Sequence, residues 1–315
     1  MVGITSIRSA NAAFASTPAA KGLVAVFVGA TAGIGESAMR TFVANTVSPT
    51  VYFVGRSEAS GAKITTELQK INPDSRIQFM QADATLLSTV DSVTAQIAAK
   101  EKKVNLLFMS PGYMTMAGRD ESPEGLDRKM VVSYYGRLRF ASNLLPLLKA
   151  AAATPSESSR VISVLAPGRE GTLIMDDLGL TKPGNYSLRN VEAHTVTMMS
   201  FAFEELSVRN PEIGWIHASP GVVATSLTRG LPTAMRIASS VAVTALKCFT
   251  VPIADSGHGF TWLSTNEGFR AGLFLVNWKG ENMDCRVAGG RGWYSDERKK
   301  SVWDHTQTVF GGVKQ

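Results

Sequence analysis

The sequence predicts an α/β fold in which a parallel sheet is covered by helices on both faces. Three observations predict it. Residues 24–28 form an apolar, β-branched run too short for a helix, and it ends in a turn built on Gly29, Gly33 and Gly35 that leads into helically spaced apolar residues. Short apolar runs then alternate with amphipathic segments as far as residue 217, the pattern of strand–helix–strand crossovers. Finally, 44% of the 315 residues are hydrophobic and 18% charged, and no linker-like change in composition divides them. A doubly wound sheet of this kind takes its ligand beyond the carboxyl ends of its strands.

The first turn sets the rest in place. Gly29 permits the sharp bend, Gly33 allows close approach of a ligand, and Gly35 lets the helix pack on the strand. Bare N–H groups and a positive helix end then meet at one spot, where a diphosphate can sit, with Thr31 and Ile34 in the same cradle. Residues 51–55 read as a second buried strand and 62–71 as a helix stopped by Asn72-Pro73. Residues 76–80 alternate as a strand, 86–99 are helical and 104–109 form another buried strand. A long amphipathic helix is expected over 126–148, with a loop at 150–159. Residues 161–165 and 213–217 are strands flanking a helix at 186–208.

Beyond Thr225 the pattern changes. Residues 230–249 form an apolar segment spotted with Ser and Thr, expected to be a helical lid, and a second helix runs from Pro252 to about residue 263. Residues 273–276 are a last strand. Residues 282–292, polar and glycine-rich, are expected to be a mobile surface loop. Trp303-Asp304-His305-Thr306 falls in a C-terminal amphipathic helix, with His305 at the surface or at a cap. The whole chain, 1–315, is read as one dinucleotide-binding domain with a substrate lid or insertion at about 226–290.

Composition excludes several functions. The formal charge of +6 is spread out. Its clusters, Arg298-Lys299-Lys300 and Lys102-Lys103, are short and not interleaved with aromatics, so nucleic acid is not an expected partner. Cys248 and Cys285 are too few for a disulfide framework, and residues 1–20 lack the apolar core of a secretory signal, so a cytoplasmic location is expected. The apolar stretch 237–251 is interrupted by Ser239-Ser240, Thr244 and Lys247 and is too short to span a bilayer, so no transmembrane segment is expected. No His, Cys, Asp or Glu set has metal-ligand spacing, and no metal is expected.

Several positions fit one ligand. The second strand ends at Gly55-Arg56-Ser57 with no carboxylate to accept from a ribose 2′-hydroxyl. Arg56 beside a hydroxyl suits a 2′-phosphate, because guanidinium offers planar paired donors, and NADP is favoured over NAD. The alternative pairs Arg56 with Glu58. Asp83 follows the third strand, where it either accepts from an adenine amino group or caps the next helix. The open Ser110-Pro111-Gly112 loop leaves room for a dinucleotide to pass.

With Pro220-Gly221-Val222-Val223-Ala224-Thr225, the Gly29-x-x-x-Gly33-x-Gly35 turn, Arg56 and Asp83, the chain resembles the short-chain dehydrogenase/reductase family over about residues 22–227. It is similar within it to fungal members often associated with secondary metabolism, through Asn105-Leu106-Leu107-Phe108, Tyr134-Tyr135-Gly136-Arg137 and Val302-Trp303-Asp304-His305-Thr306. The resemblance implies a Rossmann-type fold, Val223 and Thr225 holding the nicotinamide carboxamide, and a homodimer or homotetramer paired through the two long helices. It also implies hydride transfer between nicotinamide and a carbonyl or alcohol, with a Tyr as proton donor, a Lys four residues on to lower its pKa, and a Ser to orient the carbonyl.

The sequence departs from that pattern at each catalytic position. Ala166 stands where the Ser is expected and Ser133 where an Asn is. Tyr186 is followed at i+4 by Asn190, and counting back from Pro220-Gly221 places Asn190 and His194 at the Tyr and Lys positions. Candidate catalytic residues are therefore Tyr186, Asn190 and His194, with Ser163, Ser133 and Tyr113 as substitutes. Met109, Met114, Met116, Met198 and Met199 are read either as an adaptable apolar pocket mouth or as plain core. The leading expectation is an NADP(H)-dependent oxidoreductase acting on a carbonyl or alcohol of a small, largely apolar natural-product intermediate. Two alternatives stand beside it: a redox-silent member catalysing cyclisation, isomerisation or elimination, with His194 as acid/base, and a non-enzymatic dinucleotide-sensing protein.

Overall fold

Every residue of β1 (Val24–Val28) is buried, as a parallel strand covered on both faces must be. A computed structural model describes residues 2–154, 156–225, 230–236, 250–283 and 293–312. In it β1 lies between β2 (Thr50–Gly55) and β4 (Leu106–Met109), parallel to both. With β3 (Arg76–Gln81), β5 (Arg160–Val164), β6 (Gly214–Ala218) and β9 (Gly272–Val276) they form one seven-stranded sheet in the order β3-β2-β1-β4-β5-β6-β9. This is a Rossmann-type sheet, and strand order reverses at β1/β4, so the crevice opens beyond Val28 and Met109. Val222–Val223 (β7) and Thr250–Val251 (β8) pair separately in parallel.

Two apolar layers cover the sheet. On one face α2 (Gly33–Ala44), α3 (Glu58–Ile71) and α8 (Ile253–Thr265) bury Met39, Phe42, Ile64, Leu68, Phe260 and Leu263. On the other, α4 (Leu87–Ala98), α6 (Gly136–Ala152), α7 (Leu188–Arg209) and α9 (Asp296–Gly312) bury Ile97, Leu144, Phe201, Val302 and Phe310. Helices 3.6 residues per turn show their apolar stripe in sequence, so the predicted order of elements holds.

Four local features differ from the sequence reading. Residues 4–14, given no element in the sequence reading, form a helix, α1 (Ile4–Phe14), to which α8 offers partners: Arg8 pairs with Asp255 at 2.6 Å and Asn11 Nδ2 donates to His258 O at 3.0 Å. The helix expected over 126–148 starts as one turn, α5 (Arg128–Met130), passes through a π turn (Val131–Tyr135), and continues as α6 to Ala152, into the predicted loop. A π turn admits an extra residue, and both Tyr134 and Tyr135 are buried. Their hydroxyls reach α9, Tyr134 at 2.6 Å from Thr306 Oγ1 and Tyr135 at 2.8 Å from His305 Nε2. His305 is thus a half-buried packing and hydrogen-bonding residue rather than a surface or capping one, drawn inward by the tyrosine hydroxyl. Of the predicted lid at 230–249, residues 237–249 lie outside the described residues, as do 284–292 of the predicted loop. No helix among the described residues is long and apolar enough to cross a membrane.

Candidate functional site

The turn after β1 is shaped by what a side chain would strike. Gly29 has φ +78°, and a Cβ there would lie 2.6 Å from the backbone of Pro111, so the loop after β4 rests directly on the turn. At Gly35 a Cβ would come within 2.6 Å of Gly29 O and 2.5 Å of Ser110 Oγ. Gly33 has φ +67° and faces the Thr225 side chain, 3.5 Å from where its Cβ would stand. A Cβ on Gly55 would meet the Thr31 methyl at 2.3 Å. The fold therefore brings Gly29, Thr31, Gly33, Gly35, Gly55, Pro111 and Thr225 together from four separate stretches of sequence. Helix α2 starts at Gly33, and its N-cap residue Ala32 provides no side-chain hydrogen bond, which leaves the first N–H groups for a ligand oxygen. Its one first-turn carboxylate, Glu36, is held by Arg40 at 2.8 Å.

Arg56 follows the tip of β2 and is exposed. Its carbonyl accepts from Gln81 Nε2, and its guanidinium forms no ion pair with Glu58 or another described carboxylate. Ser57 caps α3 by accepting from Ser60 N–H at 3.3 Å. Asp83 takes the Thr85 N–H at 3.0 Å in a local turn and does not cap α4. The α4 N-terminus is capped from a distance by Glu124, whose two oxygens accept from Leu87 N–H (2.7 Å) and Ser88 N–H (2.8 Å). Ile34, in the first turn of α2, is partly buried against the core, Gly112 lies exposed beyond Pro111, and Val223 is in β7.

The predicted catalytic residues part company. Tyr186 precedes Ser187, the N-cap of α7, and is half-buried near Asp127, Tyr113 and Arg119. Burial, then the Asp127 carboxylate, push its phenol above the ordinary range. Tyr113 is pushed up to about 12 by burial and by Asp127 and Asp120. Asn190 Nδ2 donates to Asn185 O at 2.8 Å, which ties the approach loop to α7. His194 is fully buried: Nε2 accepts from Ile174 N–H at 2.9 Å, and Nδ1 lies 3.2 Å from Leu178 O and donates to it. Burial lowers its pKa, and as a neutral ring with both nitrogens engaged it works as a brace for residues 174–178. Ser163 is fully buried and turned to Arg137, and Ser133 is buried inside the π turn. Met109, Met198 and Met199 are core, whereas Met114 and Met116, on the loop after β4, are 44% and 57% exposed, and Trp278, after β9, packs against Gly221.

Three residues of this region were missed in sequence. Buried Asp127 caps α5 and accepts from Asp120 N–H (2.9 Å) and Met130 N–H (2.9 Å) while facing Tyr186. Asp177 gathers Thr181, Lys182 and Asn185 on its two oxygens; burial works against its charge, but these hydrogen bonds hold the carboxyl well below the usual range. Arg137, which in sequence is only the last residue of Tyr134-Tyr135-Gly136-Arg137, is buried and donates to Ser163. The Asp-x-x-Met spacing of a capping residue ahead of the apolar helix was the available signal for Asp127.

Known proteins match this arrangement. The family model for short chain dehydrogenase matches residues 23–165. The chain is 34% identical to oxidoreductase AN1596 of Emericella nidulans, over 98% of each chain. It is 30% identical to the short-chain dehydrogenase/reductase SAT2 of Stachybotrys chartarum, over 83% of this chain and 77% of that one. Among solved structures, 3-oxoacyl-[acyl-carrier protein] reductase from Brucella melitensis in complex with NAD superposes with a TM-score of 0.60 at 17% identity, covering 84% of this chain and 97% of that one.

Proposed function

The chain belongs to the short-chain dehydrogenase/reductase family, and from that premise we propose that it is an NADP(H)-dependent oxidoreductase acting on a carbonyl or alcohol of a small, largely apolar natural-product-like molecule. The assembled turn carries this reading: Gly29 and Gly35 are closed to any Cβ by the atoms packed on them, and Gly33 holds a positive φ that a side chain would strain, all beside a helix end that no side chain caps. A bound dinucleotide supplies or accepts hydride at its nicotinamide. The residues present fit it. Gly29 to Gly35 would hold the diphosphate, Asp83 the adenine end, and Gly112, Val223 and Thr225 the nicotinamide end. Arg56 supports the 2′-phosphate, since its guanidinium is unclaimed by a described carboxylate and a phosphate accepts two of its N–H groups at once. Exposed Met114 and Met116 on the loop after β4, and Trp278 after β9, support an apolar substrate.

Tyr186 is the proton-holding residue in this reading, with Asp127 beside it. A phenol held above its ordinary pKa stays protonated at neutral pH, so it donates in the reductive direction and is a poor base in the oxidative one. The same observation favours the second reading, a redox-silent member in which the Tyr186–Asp127 pair moves a proton in an isomerisation or elimination. Labelled NADPH separates the two: transfer of label to a carbonyl product supports the first, and turnover with cofactor bound but no transfer supports the second. For the cofactor itself, Arg56→Ala should raise the Kd for NADPH about tenfold or more and leave that for NADH within about twofold. Equal effects on both would remove Arg56 from the 2′-phosphate site.

A further inference from the structure

Behind the loops of the crevice runs a buried polar line that the proposed chemistry does not use. Arg137, 3% exposed, stands in the first turn of α6 with no carboxylate partner among the described residues. Its donors go instead to Val132 O (Nε, 3.0 Å), Ser163 Oγ and Val164 O (Nη1, 2.8 and 2.7 Å) and Pro111 O (Nη2, 2.7 Å). Pro111 belongs to the loop after β4 that rests on Gly29, and Val164 ends β5. One guanidinium thus ties together the two loops that border the crevice.

The far end of the line is a carboxylate. Glu170, 7% exposed, accepts from Ser200 O–H at 2.7 Å and from Gly168 N–H at 2.8 Å. Ser200 Oγ is also 3.0 Å from His217 Nδ1. A hydroxyl has one proton, and Ser200 gives it to the carboxylate, so it accepts from His217 Nδ1–H. His217 Nε2 is then a lone-pair acceptor, and it is buried with no hydrogen-bond partner. Ser163 is its neighbour across the β5–β6 pair, and the Ser163 oxygen already accepts from Arg137. No described group within hydrogen-bond distance takes the Ser163 proton.

We propose that Arg137 is a positioning residue that fixes the loops after β4 and β5 around the dinucleotide crevice, and that Ser163, His217, Ser200 and Glu170 complete a line in which every proton points from guanidinium to carboxylate. Ser163 O–H reaches His217 Nε2 through one buried water, since the two atoms make no direct hydrogen bond. Buried ions are costly when isolated, and a chain of aligned donors lets a distant carboxylate offset the cation while each bond polarises the next. The line grips the end of β5 at Val164 O and the loop after it at Gly168 N–H. What the loops hold rests on the proposed function; the line itself does not.

Two measurements on the full chain test it. Nitrogen-15 NMR without cofactor should show His217 neutral, protonated at Nδ1, with Nε2 shifted as a hydrogen-bond acceptor. Ser163→Ala should move Nε2 toward a free lone pair and leave Nδ1 protonated. A proton on Nε2, or no response to Ser163→Ala, overturns the line. Arg137→Lys keeps the charge but cannot span its four acceptors. It should raise the Kd for NADPH about tenfold and speed amide exchange at Gly112 and Ala166. If Arg137→Lys does not fold, Ser163→Ala, which removes one acceptor, should raise the Kd about threefold. Unchanged exchange at both loops overturns the positioning role. A wild-type chain that binds neither NADPH nor NADH overturns the proposed function alone, because the NMR and exchange results still decide the line.

Discussion

Tyr186 and His194 are neighbours in sequence terms, and their surroundings give them opposite work. His194 has surrendered both nitrogens to backbone groups, so its substitution should show in stability. Tyr186 is held in the phenol form by burial and by Asp127. Two results follow for it. Tyr186→Phe should lower turnover about a hundredfold or more with the NADPH Kd within about twofold; unchanged turnover removes it from the mechanism. The reductive pH–rate profile should show no falling limb from Tyr186 below about pH 10, the ordinary tyrosine value, because the folded pKa lies above it. Asp177 makes a prediction of the other sign. Its folded pKa is depressed, so its contribution is full above the unfolded value near 4 and is lost progressively as pH falls below that. Asp177→Asn should therefore destabilise the chain at pH 7 and flatten the loss of stability under acid, read by thermal melts across pH 2–7.

Among the elements, helix α4 shows what sequence can and cannot reveal. Its apolar stripe is plain in residues 87–98, yet its cap is Glu124, from a loop 37 positions further along the chain. Local spacing offered Asp83 for that task, and Asp83 closes a turn at Thr85 instead. Glu124→Ala should cost about 1 kcal/mol in a denaturant titration, while Asp83→Ala should cost less. The same division runs through the site. The glycine turn was legible because strand, turn and helix are contiguous and each glycine answers to a local constraint. Asp127, Arg137 and the burial of His194 were not, because each depends on which distant backbone groups the fold brings alongside. The π turn was hidden for a related reason: an extra residue leaves the apolar pattern of 126–148 nearly intact, and its justification lies on α9, in Thr306 and His305.

In the whole molecule, α9 packs against α6 and α7, the two long helices. Val302 and Phe310 are buried there, Arg139 lies over the Phe310 ring at 5.1 Å, and Arg209 over Trp303 at 4.6 Å. The surface under α9 is thus buried within one chain. Removing residues 296–315 should uncover the tyrosine pair and α7 and cause self-association, seen as a rise in mass by light scattering. A truncated chain that stays at the mass of the full one would show that α9 covers nothing sticky.

The contact between α1 and α8 has a consequence in time. Arg8 meets Asp255, and Asn11 meets His258, each across 247 positions, outside a sheet whose strands are all joined by long crossovers. Loop closure of that span must come after the sheet has brought α8 into place, since little in residues 4–14 favours a helix in isolation. Refolding from denaturant should therefore be slow and sequential, with α1 amides the last to gain protection and the first to lose it when the native chain breathes.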